Sequence, residues 1–348
     1  MSLALSALGW TPSREEEFEH YAAAGLAPAR VAAQQRGQYT VRAESGELSV
    51  EVSGRLRHAA AGPADLPAVG DWVGVRAPAT VDAVLSRRTA FVRKAAGTDV
   101  VEQVVAANVD AVFIVTAFDG DLNVRRLERY LAAGWESGAQ PVIVVNKRDL
   151  AADPAAELVD VEVIAFGVPV HAVSCREGDN LDELTGYFAG NRTVALLGSS
   201  GVGKSSLVNR LLGGERQEIG GLRGDGRGRH TTTARELFAV PGGGLVLDTP
   251  GMRELGLWDA GGGLGETFDD VASLAAECRF ADCAHESEPG CEVLAALADG
   301  RLDPARLESY RKLLRELRRL ELKTDPRALS EERKNRRRFA RSQRRSAY

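Results

Sequence analysis

The sequence predicts an α/β protein: a mostly parallel sheet flanked by helices, with a small β-barrel ahead of it and a mainly helical, metal-binding region behind it. Three observations carry this. Short alternating apolar runs broken by Gly and Pro fill residues 38–94. From about Asn108, strand-length apolar runs alternate with helix-length segments. Three of the four cysteines crowd between Cys278 and Cys291. The chain has 348 residues, 44% hydrophobic and 27% charged, enough for roughly two or three domains with their own cores.

Residues 1–35 are acidic and Ala-rich. They carry Pro12, Pro28 and the pattern of a short helix from Ser13 to Ala24, and they read as an N-terminal extension without legible chemistry. Over residues 36–97 the alternation of Leu48, Val50 and Val52, then Val69, Trp72, Val73 and Val75, predicts a five-stranded OB-like barrel. Its end, Arg87 to Lys94, joins charge to one aromatic, Phe91. Small barrels bind oligonucleotides through such groups by phosphate contact and base stacking; a charged edge strand is the alternative.

Over residues 98–262, strands are expected at Ala111 to Ala117, Val142 to Val145, Val168 to Val173, Val194 to Leu197, Arg235 to Val240 and Leu245 to Leu247. Val124 to Ser137, Ala155 to Phe166 and Leu181 to Phe188 supply the intervening helices. Gly261 to Gly265 reads as a hinge into residues 263–348. Beyond Pro304, a helix with Leu307, Leu313, Leu314, Leu317 and Leu320 on an apolar stripe is expected.

The apolar runs are too short to span a bilayer, and no basic stretch followed by a long apolar run opens the chain, so a cytoplasmic protein with no membrane role is expected. Charge is uneven. Residues 301–348 carry 17 Lys+Arg against 7 Asp+Glu, +10, leaving −15 for residues 1–300. The cluster Arg333, Lys334, Arg336, Arg337, Arg338, Arg341, Arg344 and Arg345 covers more than one helical face and points to a nucleic-acid phosphate backbone.

The most specific motif is Gly198-Ser199-Ser200-Gly201-Val202-Gly203-Lys204-Ser205, followed by Ser206, after a strand and at the start of a helix. Its glycines let backbone N–H groups wrap phosphates, Lys204 reaches the outer phosphates, and the Ser205 hydroxyl can ligate Mg²⁺. Asn146-Lys147-Arg148-Asp149, at another strand end, supplies what guanine needs. Asp149 can accept from both the ring N–H and the exocyclic amine, where adenine presents a lone pair. Asn146 would tie this loop to its neighbours, and the Lys147 stem would cover the base. Ser174-Cys175-Arg176 places a small side chain where a backbone N–H could meet the guanine carbonyl. Asp248-Thr249-Pro250-Gly251 puts a carboxylate near the Mg²⁺ water shell and a glycine N–H near the γ-phosphate. Upstream, Gly228-Arg229-His230-Thr231-Thr232-Thr233 offers a metal-ligating hydroxyl, with Thr232 taken as the ligand.

These motifs resemble the sequence elements of the GTPase superfamily, with the base-reading pair ahead of the phosphate loop, which is the order of the circularly permuted GTPases. A parallel sheet can be cut and rejoined without moving the loops at its strand ends. Where many GTPases place a water-orienting glutamine, this chain has Met252. Slow intrinsic hydrolysis is expected, completed by His230 or by a partner's group. Gly201 stands where potassium-activated relatives carry Asn.

Cys278, Cys283, His285 and Cys291 form C-x4-C-x-H-x5-C, a donor set suited to one closed, structural, tetrahedral Zn²⁺. Barrel, permuted nucleotide motifs, metal segment and basic tail together resemble the RsgA family of small ribosomal subunit biogenesis GTPases. Gly70-Asp71-Trp72-Val73, Lys94-Ala95-Ala96-Gly97, Arg229 to Thr233, and Asp282-Cys283 through Pro289-Gly290-Cys291 carry the likeness, which covers about residues 30–325. The resemblance implies GTP/GDP with Mg²⁺, one structural Zn²⁺, and a monomer acting as a late checkpoint on the small ribosomal subunit and its rRNA, with hydrolysis stimulated by that subunit. A permuted GTPase serving another ribonucleoprotein, and an RNA-binding module using GTP only as a structural ligand, are the competing readings.

Overall fold

The computed structural model describes residues 4–35, 37–94, 102–120, 122–214, 235–248 and 261–324, with 327, 330 and 334. Helix α1 (Pro12–Ala23) starts on a proline, whose missing N–H costs nothing in a first turn. It leads into β1 (Ala27–Gln35), β2 (Gln38–Ala43), β3 (Gly46–Val52), α2 (Gly54–Ala59), β4 (Trp72–Arg76) and β5 (Thr80–Val84). β1 pairs antiparallel with both β2 and β4, β2 with β3, β3 parallel with β5, and β5 antiparallel with β4. Five strands thus close on themselves, as the alternation in the sequence predicts. In β2 the period of two is explicit: Tyr39, Val41 and Ala43 are buried while Thr40 and Arg42 face outward. The barrel begins at Ala27, inside the segment whose sequence showed only a helix. Arg30, in register with the outward Arg42, is buried too, so Ala29 to Ala32 are buried on both faces and the alternation is hidden.

The charged run expected to end the barrel is placed differently. β6 (Ala90–Lys94) pairs with β7 (Glu102–Ala107) in a separate two-stranded sheet. Phe91 is only 2% exposed and so cannot stack on a base. Arg87 is committed to the buried Asp71 carboxylate at 2.7 Å.

The remaining strands are β8 (Ala111–Ala117), β9 (Gln140–Asn146), β10 (Val170–Ala172), β11 (Thr193–Gly198), β12 (Arg235–Ala239) and β13 (Leu245–Asp248), with α3 (Val124–Glu136), α4 (Pro154–Ile164) and α5 (Lys204–Leu211) between them. Leu181–Phe188, expected as a helix, is 3-10 rather than α. The order is β10-β9-β8-β11-β13-β12, parallel except for β12. The chain enters at the central β8, steps out to β10, and returns beside β8 to build the other half. The crevice between β8 and β11 is therefore the switch point at which open α/β sheets bind ligands. Two register pairs, Ala33 with Glu236 and Gln34 with Arg235, join β12 to β1 and make barrel and sheet continuous.

Behind the sheet lie α6 (Gly261–Thr267), α7 (Asp269–Ala276), α8 (Glu292–Ala298) and α9 (Pro304–Thr324). Gly261 to Gly265, expected as a hinge, is helix α6. A Cβ at Gly263 would stand 2.2 Å from the Ala132 carbonyl oxygen and 2.6 Å from the Glu136 nitrogen. The glycine thus serves close packing of α6 on α3. Leu307 and Leu313 of the predicted stripe are buried, whereas Leu314 is exposed. Glu128 of α3, wholly buried, binds Arg306 of α9 at 2.8 Å and also accepts from Ser309. Arg306 further donates to the Thr267 carbonyl at 2.6 Å and pairs with Asp270 at 3.0 Å, so this pair fastens the C-terminal helices to the sheet.

Candidate functional site

Because β8, β9, β10, β11 and β13 run parallel, their C-terminal ends share one edge of the sheet. Asn146 ends β9, Gly198 ends β11, Asp248 ends β13, and Ser174 follows β10. The phosphate loop runs from Gly198 to Gly203 and opens α5. Gly198, Gly201 and Gly203 have φ of 152°, 86° and 97°, which glycine adopts without steric cost. Packing restricts two of them further. A Cβ at Gly198 would lie 2.1 Å from the Val115 carbonyl oxygen, and one at Gly203 2.1 Å from Asn146 Nδ2. Lys204 Nζ donates to the Gly198 carbonyl at 2.7 Å and to that of Ser199. The ammonium therefore lies along the loop, beside the N–H groups that would meet phosphate. Ser205 is half-buried at the start of α5, and Asp248 is buried on the neighbouring strand.

The base-reading residues are cross-linked to this loop by side chains. Asn146, 2% exposed, donates through Nδ2 to the Val202 carbonyl at 2.8 Å, while its Oδ1 accepts from the Cys175 N–H at 3.0 Å. One amide thus ties three loops together, as the sequence led us to expect of Asn146. Of the backbone N–H groups in the Ser174-Cys175-Arg176 run, that of Cys175 is engaged by this amide. Lys147, at φ 61°, donates to the Gly201 carbonyl at 2.8 Å and pairs with Asp119. The Ser174 hydroxyl donates to Asp149 Oδ1 at 2.6 Å, which fixes the carboxylate's orientation. Burial pushes the Cys175 thiol up to about 12, so it stays protonated and is no nucleophile.

Two supports were not read from the sequence. Asp119, two residues past the end of β8, holds the Lys147 ammonium. Arg210 of α5 donates to the Cys175 and Arg176 carbonyls at 2.7 and 2.6 Å and buttresses the guanine loop from behind. A carboxylate just past a strand end was the available signal for the first; Arg210 carries none, because its role depends on folding. His230, Thr231, Thr232, Thr233, Thr249, Pro250, Gly251 and Met252 lie outside the described residues.

The metal ligands do come together. The ligand atoms of Cys278, Cys283, His285 and Cys291 lie within 4.8 Å of one another. Cys278 Sγ is 3.9 Å from Cys291 Sγ, and both sulfurs are 3.5 Å from His285 Nδ1. A tetrahedral zinc with bonds of about 2.3 Å to sulfur and about 2.0 Å to nitrogen has sulfur–sulfur edges of about 3.8 Å and sulfur–nitrogen edges of about 3.5 Å. The donor set and its spacing fit that ion. His285 takes φ 58° and gives its carbonyl to Arg311 of α9, which ties the segment to the long helix.

With this geometry in place, the chain's likenesses can be stated. A family model described as RsgA GTPase matches residues 84–258. "Small ribosomal subunit biogenesis GTPase RsgA" of Opitutus terrae is 49% identical over 329 residues, 90% of each chain. The protein of the same name from Streptomyces coelicolor is 49% identical over 338 residues, 95% of this chain and 91% of its own. Among solved structures, YjeQ from Thermotoga maritima is 26% identical with a TM-score of 0.63, covering 84% of this chain and 98% of its own. YloQ, titled a circularly permuted GTPase, is 25% identical with a TM-score of 0.58, covering 84% and 95%. The order of base-reading loop before phosphate loop is thus a permutation of a GTPase sheet, and the chain is a GTP-hydrolysing enzyme that belongs to the RsgA GTPase family.

Proposed function

We propose that this chain is a late-stage checkpoint factor of small ribosomal subunit assembly, binding the subunit and its rRNA and hydrolysing GTP to GDP and phosphate under stimulation by that subunit. One observation carries the reading: relatives named small ribosomal subunit biogenesis GTPases are 49% identical to this chain over 90% and 95% of its length. The likeness runs through the barrel and the metal segment as well as the nucleotide loops.

In this reading Asp149 accepts from the guanine ring N–H and amine, with Ser174 orienting it and Cys175 beside the base. Asn146 holds the loops in register, and Lys147 covers the base. Gly198 to Ser206 cradle the phosphates, Lys204 neutralises charge that develops on them, and the Gly251 N–H meets the γ-phosphate. Ser205, Thr232 and Asp248 would hold Mg²⁺, which when bound neutralises charge between the β- and γ-phosphates. Met252 cannot orient water as an amide does, so basal turnover is slow; His230 or a group on the subunit completes the site. Cys278, Cys283, His285 and Cys291 hold structural Zn²⁺. The basic tail beyond Asp325 supplies phosphate contacts, and the protein works as a cytoplasmic monomer. No helix among the described residues is long and apolar enough to cross a membrane.

A γ-phosphate that favours one state of the nucleotide loops must favour the subunit-bound form that shares it, by linkage. Subunit affinity measured with a non-hydrolysable GTP analogue is expected to exceed that measured with GDP. Asp149→Ala should abolish this difference at GTP concentrations that saturate the wild type, because losing two hydrogen bonds to a charged group weakens guanine binding by about 100-fold. Equal affinities with analogue and GDP would reject the reading.

A further inference from the structure

Helix α4 is apolar on two opposite faces. Leu158, Val161 and Ile164 are buried against the sheet, as an amphipathic surface helix requires. On the other side Val159, Val163 and, just past the helix end, Phe166 are 54%, 69% and 69% exposed. With Ala155, also exposed, these positions repeat at intervals of four, four and three residues, which at helical pitch forms a stripe about 80° wide. The three large residues are half of the six large apolar side chains exposed among the described residues. An exposed helix that is apolar on both sides is expected to be covered on both.

Charge decides what covers it. Asp160 and Glu162 flank the stripe, Glu157 lies beyond Asp160, and all three are exposed. None of them forms an ion pair among the described residues, and α4 carries no basic residue. A nucleic-acid backbone is repelled by this surface. A second copy packed about a two-fold axis would set the same carboxylates against one another. Position adds to this. α4 joins β9 to β10, the strand at the outer edge of the sheet and at the far end from the barrel, and packs against α3; its outer face is left exposed by the described residues.

We propose that this stripe is a docking surface for a basic, apolar protein segment of the small subunit, with apolar side chains at helical spacing set between Lys and Arg. The proposal rests on the small-subunit reading above. It divides the molecule's contacts by chemistry: the basic tail meets phosphate, and α4 meets protein. Such a segment would bury Val159, Val163 and Phe166 while its cations face Asp160 and Glu162, the arrangement by which amphipathic helices are gripped in apolar grooves.

The test uses the full chain with a photo-crosslinking amino acid at Val163, bound to isolated small subunits with a non-hydrolysable GTP analogue. Co-sedimentation of the unsubstituted chain is measured first; failure to bind there rejects the small-subunit reading, whereas the remaining outcomes address α4 alone. The expected result is a crosslink to a ribosomal protein, mapped to a Lys/Arg-rich segment. A crosslink to rRNA, to a second copy of the chain or to its own tail, or no crosslink in the bound complex, overturns the proposal. In parallel, Val163→Ser with Phe166→Ser should weaken subunit binding by about tenfold, and Asp160→Lys with Glu162→Lys by a similar factor, the size expected of peripheral anchors at an interface. GTP affinity of the free protein should be unchanged in both pairs, and unchanged subunit affinity in both would equally overturn the proposal.

Discussion

The loops proposed to read guanine sit at the ends of buried parallel strands, whereas the Cys3His segment at residues 278–291 sits between two short helices, α7 and α8, at the edge of a smaller apolar cluster. Both are short, irregular stretches of backbone that must hold side chains in fixed places. At the first, the sheet sets the spacing and a few polar side chains lock it: Asn146 bridges Val202 and Cys175, and Lys147 reaches Gly201. At the second, four ligand atoms must themselves set the spacing. The difference teaches that the nucleotide end is preorganised by burial in the sheet, whereas the Cys3His segment, held on a smaller apolar cluster, offers a ligand spacing that a bound ion would lock.

Metal removal breaks the comparison most sharply. Structural zinc sites contribute about 10–16 kcal/mol of binding free energy that is also folding free energy. Chelation, or Cys278→Ser with Cys291→Ser, should therefore melt residues 278–291 and expose them to protease. GTP affinity measured with Mg²⁺ restored should change little, because none of Cys278, Cys283, His285 and Cys291 lies at the sheet edge. Elemental analysis of protein purified without chelators should find about one zinc per chain. Loss of nucleotide binding in the Cys278→Ser, Cys291→Ser protein with Mg²⁺ present would show the two ends to be one cooperative unit.

A smaller effect is expected at the joint between the two regions. Glu128→Ala leaves the buried Arg306 with only the partly exposed Asp270 carboxylate, and breaking a buried ion pair from one side costs up to about 3–5 kcal/mol. The partly exposed Arg129–Glu316 pair joins the same elements, yet Glu316→Gln should cost less than about 1 kcal/mol. Urea denaturation followed by Trp fluorescence and by proteolysis of α9 would compare them. Equal costs would place the strength of the joint in apolar packing rather than in the buried charge.

Much of the nucleotide end was legible in the sequence, because its function is written in residue types that the backbone geometry demands: glycines where a Cβ would strike Val115 or Asn146, and an amide and a carboxylate at a strand end. The metal ligands were legible for the same reason. Misplaced elements were those whose pattern the tertiary structure overrides. Gly261 to Gly265 looked like a hinge, but Gly263 admits the backbone of α3. The first barrel strand was hidden by Arg30, which burial lowers to about 10 yet leaves charged, bound to the carbonyls of Gly70, Leu8 and Asn108. Phe91 looked like a stacking platform because a sequence shows an aromatic among arginines without showing which side of a strand is covered. The joint through Glu128 and Arg306 has no local signature, since its partners are 178 residues apart.

The central claim is that the preorganised nucleotide end is an incomplete catalyst which the small subunit completes. Its most direct test is GTP turnover by the full chain alone, with isolated small subunits and with isolated large subunits, at equal subunit concentration. Slow basal turnover raised by about 10²-fold or more by small subunits alone is the expected result, the scale on which a partner-supplied group accelerates phosphoryl transfer being about 10³–10⁵. Turnover unaffected by small subunits, or raised equally by large ones, would contradict the account.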